Sequence, residues 1–158
     1  MTHITIEYVI MIPVLFAQII VFPFAANVIA TTWTDNQREA ELQNAADHLA
    51  STIQQLYLFI NRKEISVGNI TQASTLPPTI QSYPYTATGS LRIIDSSKML
   101  SLFLELQGTR TTATATAVLG SNVLWDSSSE SVFQSDSLNA SIKVQKFANG
   151  TLLFYFRS

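Results

Sequence analysis

Two histidines, eleven carboxylates and a large supply of serine and threonine are the material from which a catalytic site would have to be built. His3 precedes a long apolar stretch and His48 falls on the polar side of a helical pattern, so a Ser-His-Asp triad or a metal centre would rest on one histidine alone. Asp47 adjoins His48, but neighbouring residues on a helix do not face each other, which rules out a dyad there. The five glycines are scattered, and neither a phosphate-cradling loop nor a dinucleotide fingerprint is present. Between Asp126 and Asp136, Glu130 and several serines offer oxygens without the spacing or the glycine of a calcium loop. That segment reads as a solvated loop. The chain is therefore read as a non-enzyme with no metal and no cofactor.

The remaining chemistry is modification and assembly. Asn69, Asn139 and Asn149 each begin an Asn-x-Ser/Thr sequon without proline in the middle, and all three lie far from the apolar stretch. They are candidate N-glycosylation sites. Asn149 also stands before Gly150, a favoured pair for a two-residue hairpin turn, where asparagine tolerates positive φ. At the other end, Glu7 sits on the edge of an apolar helix, where a carboxylate is costly unless it stays at the water interface or meets a cation.

The elements that must position these groups fall into two materials. With 158 residues the chain has room for one globular domain and little else. Only 13% of residues are charged and the net charge is −2, which leaves no basic face for nucleic acid. No cysteine is present, so no disulfide framework exists and the fold depends on packing. Most of the apolar character is concentrated between Ile4 and Ala30. Tyr8 to Ala30 gives 23 residues without a formal charge. As a helix they would span about 35 Å at ~1.5 Å per residue, against a bilayer core of ~30 Å. Pro13 and Pro23 interrupt the helical hydrogen bonds, and such breaks within a membrane call for neighbouring helices or local rearrangement to satisfy the freed backbone groups.

Past Trp33 the pattern becomes amphipathic. Leu42, Ala46, Leu49, Ile53, Leu56 and Ile60 recur at spacings of four and three and form one seam, with Gln43, Asn44, Asp47, Ser51, Gln54, Gln55 and Asn61 opposite. A continuous helix from Ile4 to Asn61 is expected, about 85 Å long at ~1.5 Å per residue. Pro77, Pro78 and Pro84 then mark a linker, after which the period drops to two. Leu100, Leu102, Leu104 and Leu106 share one strand face. Ala113, Ala115, Ala117 and Leu119 share another, with Thr112, Thr114 and Thr116 outward. Gly108 lies between these strands and Leu91 to Ile94 supplies one before them. Ile142 and Val144, then Leu152, Phe154 and Phe156, flank the Asn149-Gly150 turn. The expected fold is α+β: a long N-terminal helix packed on a C-terminal antiparallel sheet or sandwich of at least five strands. The divisions are 4–32 for the apolar helix, 33–62 for its amphipathic continuation, 63–88 for a linker and 89–158 for the β domain.

The run Ile6-Glu7-Tyr8-Val9-Ile10-Met11-Ile12-Pro13-Val14-Leu15-Phe16 resembles the assembly segment of type IV pilins, above all the Tad-type (tight-adherence) pseudopilins. In that family an acidic residue and an aromatic precede an aliphatic run with proline six positions after the acid. The resemblance implies assembly roles for Glu7, Tyr8 and Pro13. It also implies a short leader within residues 1–3, cut between Thr2 and His3, and a contact between Glu7 and the new amino terminus of a neighbouring subunit. The implied protein is a structural subunit of an extracellular filament, a homo-oligomer that is membrane-inserted before assembly and displays its β domain for surface attachment; in a host that glycosylates exported proteins its sequons would carry glycans. Two alternatives remain open on sequence: a single-pass anchor bearing a surface domain, with or without a coiled-coil stalk, and a minor pseudopilin that binds a partner without forming the bulk filament.

Overall fold

The computed structural model describes residues 3–94, 97–128 and 131–158, with the side chains of residues 3–8 and 10 outside the description. One helix, α1 (His3–Ile60), is followed by eight strands: β1 (Gly68–Ala73), β2 (Tyr85–Ile94), β3 (Ser97–Leu106), β4 (Thr112–Leu119), β5 (Val123–Trp125), β6 (Phe133–Gln134), β7 (Ser141–Lys146) and β8 (Leu152–Arg157). The fold is α+β, as the change of period from helical to alternating implies. Two compact units divide within α1, Met1–Gln37 and Arg38–Ser158.

In the second unit the strands form two four-stranded sheets, ordered β1-β7-β8-β5 and β4-β3-β2-β6. Every pairing is antiparallel except β5 with β8, which is parallel. The parallel pair departs from the all-antiparallel expectation. It arises because the chain crosses between sheets from β4 to β5 and returns to β8 from the other side, so no hairpin links the two. Leu100, Leu102, Leu104 and Leu106 of β3 and the alanines and Leu119 of β4 all point into the core, with Thr112, Thr114 and Thr116 exposed.

The helical seam closes this core. Leu42, Ala46, Leu49, Ile53 and Ile60 are buried and Leu56 is half-buried against the same cluster. Ala45 and Ala50 widen the seam to the stripe that a globular helix needs, broader than a coiled-coil line. Fully burying a leucine or isoleucine is worth roughly 1.5–3 kcal/mol, so this half of α1 is a core element in its own right. A chain of aromatic contacts joins the sheets: Tyr85 to Phe133 at 6.3 Å, Phe133 to Phe156 at 5.6 Å and Phe156 to Trp125 at 5.0 Å between centroids. Gly89 lies directly beneath the Trp125 ring, and a Cβ there would collide with it.

Three expectations need correction. The segment 63–88 is not simply a linker, because it holds β1 and the start of β2. β1 is a half-exposed edge strand and the inward residues of early β2 are Tyr85, Ala87 and Gly89, so neither shows strong alternation. The true connection is 74–84. Asn149-Gly150 is not a two-residue turn either. The loop has three residues, with Phe147 and Thr151 paired at 2.9 Å, Gly150 at φ +82° and the Asn149 carboxamide accepting from the Thr151 N–H. Glycine alone takes the left-handed position. Positive φ at both central residues, the condition of a type I′ turn, occurs instead at Gln81 and Ser82, between the paired Ile80 and Tyr83. Arg38 holds that turn, donating to the Gln81 carboxamide at 3.1 Å and stacking over the Tyr83 ring. Finally, the amphipathic half of α1 starts nearer Arg38 than residue 33. Thr31, Thr32 and Thr34 return their hydroxyls to backbone carbonyls one turn earlier and leave the surface there effectively apolar.

The end of α1 is held from outside. Lys146, 7% exposed, donates from Nζ to the carbonyls of Ile60 and Arg62, both at 2.9 Å. A helix leaves its last carbonyls without partners, and none of its own last-turn residues is basic. Asn122 adds a second tie, reaching Asn61 at 3.1 Å and the Gly150 carbonyl at 2.9 Å. Lys146→Met keeps the apolar stem and strands both carbonyls. The expected loss is about 2–4 kcal/mol, read as a melting temperature lower by on the order of 10 °C. Tyr85 gives a second test. Its ring is buried, its hydroxyl donates to the Pro77 carbonyl at 3.1 Å, and burial pushes its pKa up to about 12. A folded pKa above the unfolded value leaves stability intact below about pH 10 and removes it as pH rises towards 12. Tyr85→Phe should flatten that alkaline loss in urea titrations at pH 9–12, at the cost of one hydrogen bond, about 1 kcal/mol, at neutral pH.

Candidate assembly and display surfaces

The first half of α1 is long and apolar enough to cross a membrane, and none of that apolar span is buried within the chain. Its exposure runs all the way round. Ile19, Ile20, Val21 and Phe22 point in four directions about 100° apart and are each 60 to 70% exposed. Between Val9 and Ala30 only Gln18 and Asn27 are polar, and with the threonine hydroxyls turned inward the uncharged surface extends to Thr34. The helix passes through Pro13 and Pro23 without ending. Each proline lacks an N–H, so the carbonyls of Val9 and Ile19, four residues earlier, lose their helical partners. Pro13 is thus placed on an exposed apolar helix. The side chains of Glu7 and Tyr8 lie outside the described part of the structure.

The seam residues and the three assembly residues belong to different units, Arg38–Ser158 and Met1–Gln37 respectively. Within the second unit the outward side of α1 carries Asp47, which accepts from Gln43 at 3.1 Å, and His48, which lies in an open groove with Gln55, Phe59 and Arg62. Asp47 and His48 do not work together. Gln43 also donates to the Thr114 carbonyl at 2.9 Å, covering part of the free edge of β4. Among the described residues, no three His, Cys, Asp or Glu side chains converge as metal ligands would.

The sequons separate once folded. Asn69 is exposed on edge strand β1 with Thr71 exposed beside it, and Asn149 is exposed in the β7–β8 loop with Thr151 half-buried. Asn139 is exposed, but Ala140 and Ser141 are buried, Ser141 at 6% exposure. An enzyme that must grasp the hydroxyl at the third position can reach it at Asn69 and Asn149 and not at Asn139.

One surface was not anticipated as a surface. The outer face of β2-β3-β4 carries four rows across three strands, set by the register: Thr86, Glu105 and Thr112; Thr88, Phe103 and Thr114; Ser90, Ser101 and Thr116; Arg92, Met99 and Val118. Phe103 and Val118 stand 45% and 52% exposed. Beside Phe103 is an open hollow of about 360 Å³, floored by Gly89 and Ser101. The signal was present in the sequence, since Ser101, Phe103 and Glu105 are the out-of-phase residues of the leucine strand.

In a host that glycosylates exported proteins, Asn69→Gln and Asn149→Gln should each lower the mass of the folded product by one glycan, and Asn139→Gln by none. Intact-protein mass spectrometry decides it. Compared with protein-family models, with curated proteins and with solved structures, the chain matches none, so the functional reading rests on its own residues.

Proposed function

We propose that this protein is a type IV pilin-like structural subunit, whose activity is self-assembly into an extracellular filament through the first half of α1, with the β unit displayed for surface attachment. The observation that carries the reading is a helix surface apolar on every side through residues 9–34, in the same α1 whose second half is the core of a folded unit. A helix apolar all round needs lipid or other helices about it. In this reading it has each in turn: lipid before assembly and copies of itself afterwards. The resemblance of the Glu7-to-Pro13 segment to Tad-type pseudopilins supports the same conclusion, with Glu7 meeting the amino terminus of a neighbour and fixing register. A carboxylate and an ammonium brought out of water as a pair cost far less than a lone carboxylate in an apolar bundle. The β unit then forms the outer layer, and sugars on Asn69 and Asn149 shield it.

The internal breaks at Pro13 and Pro23 favour assembly over a solitary anchor. Freed carbonyls facing lipid have no donor, and proline-interrupted helices in membranes are tolerated where neighbouring groups supply one. Glu7→Ala tests the proposal. In a filament subunit it should cut the yield of sheared filaments at least tenfold, with the melting temperature of the β unit unchanged, because Glu7 belongs to the other unit. Equal yield removes Glu7 from assembly. A protein recovered only from membranes, as single subunits and with insertion unaffected or improved, is instead an anchored surface domain.

A further inference from the structure

We propose that the outer face of β2-β3-β4 is a self-complementary docking surface for the same face of a second copy, joining copies side by side. The face is nearly free of charge. Among the described residues of its four rows the only ionic groups are Arg92 and Glu105, at opposite ends. Six residues of β3 separate their rows, about 20 Å at ~3.4 Å per residue, so the two do not serve each other within one chain. A two-fold axis lying across the strands, between the Phe103 row and the Ser101 row, brings unlike features together. The Glu105 row of one copy then meets the Arg92 row of the other, and the relation repeats at the opposite end. The same operation seats each Phe103 over the hollow about Ser101 of the other copy, a large side chain above a place where only Ser90, Ser101 and Thr116 stand. Charge and shape thus match under one operation, as an isologous contact requires. The cation and the anion stand in the two outermost rows, equally far from this axis, so a second copy of the face offers each an opposite charge.

Size sets how the surface is used. Three strands at ~4.8 Å and four rows at ~6.7 Å cover roughly 400 Å² on each copy. Stable complexes bury about 800 Å² per partner, so one contact alone is weak. Repeated along an array it gains by multivalency. Taken with the filament reading, on which this step rests, the contact joins filament to filament into bundles.

The test uses the full chain. Arg92→Glu and Glu105→Arg each place like charges opposite one another at both ends of the contact and should reduce bundling about tenfold in electron micrographs, leaving single filaments. The double substitution R92E/E105R restores opposite pairs and should restore bundles. If both single variants bundle like the parent, or if the double variant stays dispersed, the surface is overturned. A crosslink keeps the proposal apart from the filament reading. The chain has no cysteine, so Thr114→Cys and Thr116→Cys chains can be mixed and treated with a short bis-maleimide in filaments or in membranes. The axis sets position 114 of one copy opposite 116 of the other, and a linked pair is expected that falls several-fold on adding Arg92→Glu. Linked pairs without filaments would overturn only the filament reading, whereas filaments without linked pairs would overturn this face.

Discussion

The interaction on which the folded unit depends is the burial of a single helical stripe, Leu42 to Ile60, in one core cluster with residues of both sheets. Seven apolar side chains at helical spacing require a cover wider than one strand, and the strands that provide it come from every part of the remaining sequence. The stripe therefore fixes more than its own half of α1. It decides which phase of β3 and β4 faces inward, since a one-residue slip would carry four leucines to the outside. It also demands an end to the helix where the sheet ends, and Lys146 and Asn122 supply one from β7 and the β4–β5 connection. Net stability of a domain is about 5–15 kcal/mol, so a seam of this size is not a detail that the sheets could do without.

Without disulfides, the long connection between β1 and β2 is secured by hydrogen bonds from buried hydroxyls. Ser135 accepts from the Tyr85 N–H at 2.8 Å and donates to the Pro78 carbonyl at 2.7 Å, and Tyr85 donates to the Pro77 carbonyl. Prolines lack a donor but keep a carbonyl, and here those carbonyls are the points by which the segment is tied down. Ser131 does the same for β8, accepting from the Phe156 N–H at 3.1 Å. Short hydroxyl side chains suit this work, because they satisfy a buried backbone group at little cost in side-chain entropy. A serine-rich composition is thus partly structural, and not only a solvated surface.

What could be read from the sequence followed the strength of periodicity. The helical seam, the leucine strand β3, the threonine–alanine strand β4 and the β7–β8 hairpin each repeat a pattern long enough to be unambiguous. β5 and β6 have three and two residues, too few for a period. β1 and early β2 were hidden because a small or half-exposed residue stands where alternation would have shown, and at Gly89 the small residue is required by Trp125. The hairpin loop failed for a finer reason: Asn-Gly suits two turn geometries, and strand register chose the one with only glycine in the left-handed region. Of the candidate sites, the seam and the reachability of each sequon are decided by burial. Of the candidate assembly residues, Pro13 is exposed and the side chains of Glu7 and Tyr8 lie outside the described residues, so burial decides nothing for them.

The apolar half of α1 sets the final constraint. A cylinder ~10 Å across and some 26 residues long, at ~1.5 Å each, presents on the order of 1,200 Å² of apolar surface. Exposed patches on soluble proteins seldom pass 300–600 Å², and one of this size is of the kind that marks contact with lipid or protein. The three threonines at its end are part of the same economy. Hydroxyls bonded back to Asn27, Val28 and Ala30 can enter an apolar medium without an orphan donor, whereas the carboxylate of Asp35, immediately beyond, brings a formal charge that is costly to desolvate. The uncharged surface of α1 therefore ends between Thr34 and Asp35, a few residues before the seam begins. That spacing keeps the exposed apolar surface and the buried seam on separate stretches of one helix, so neither has to serve the other's purpose.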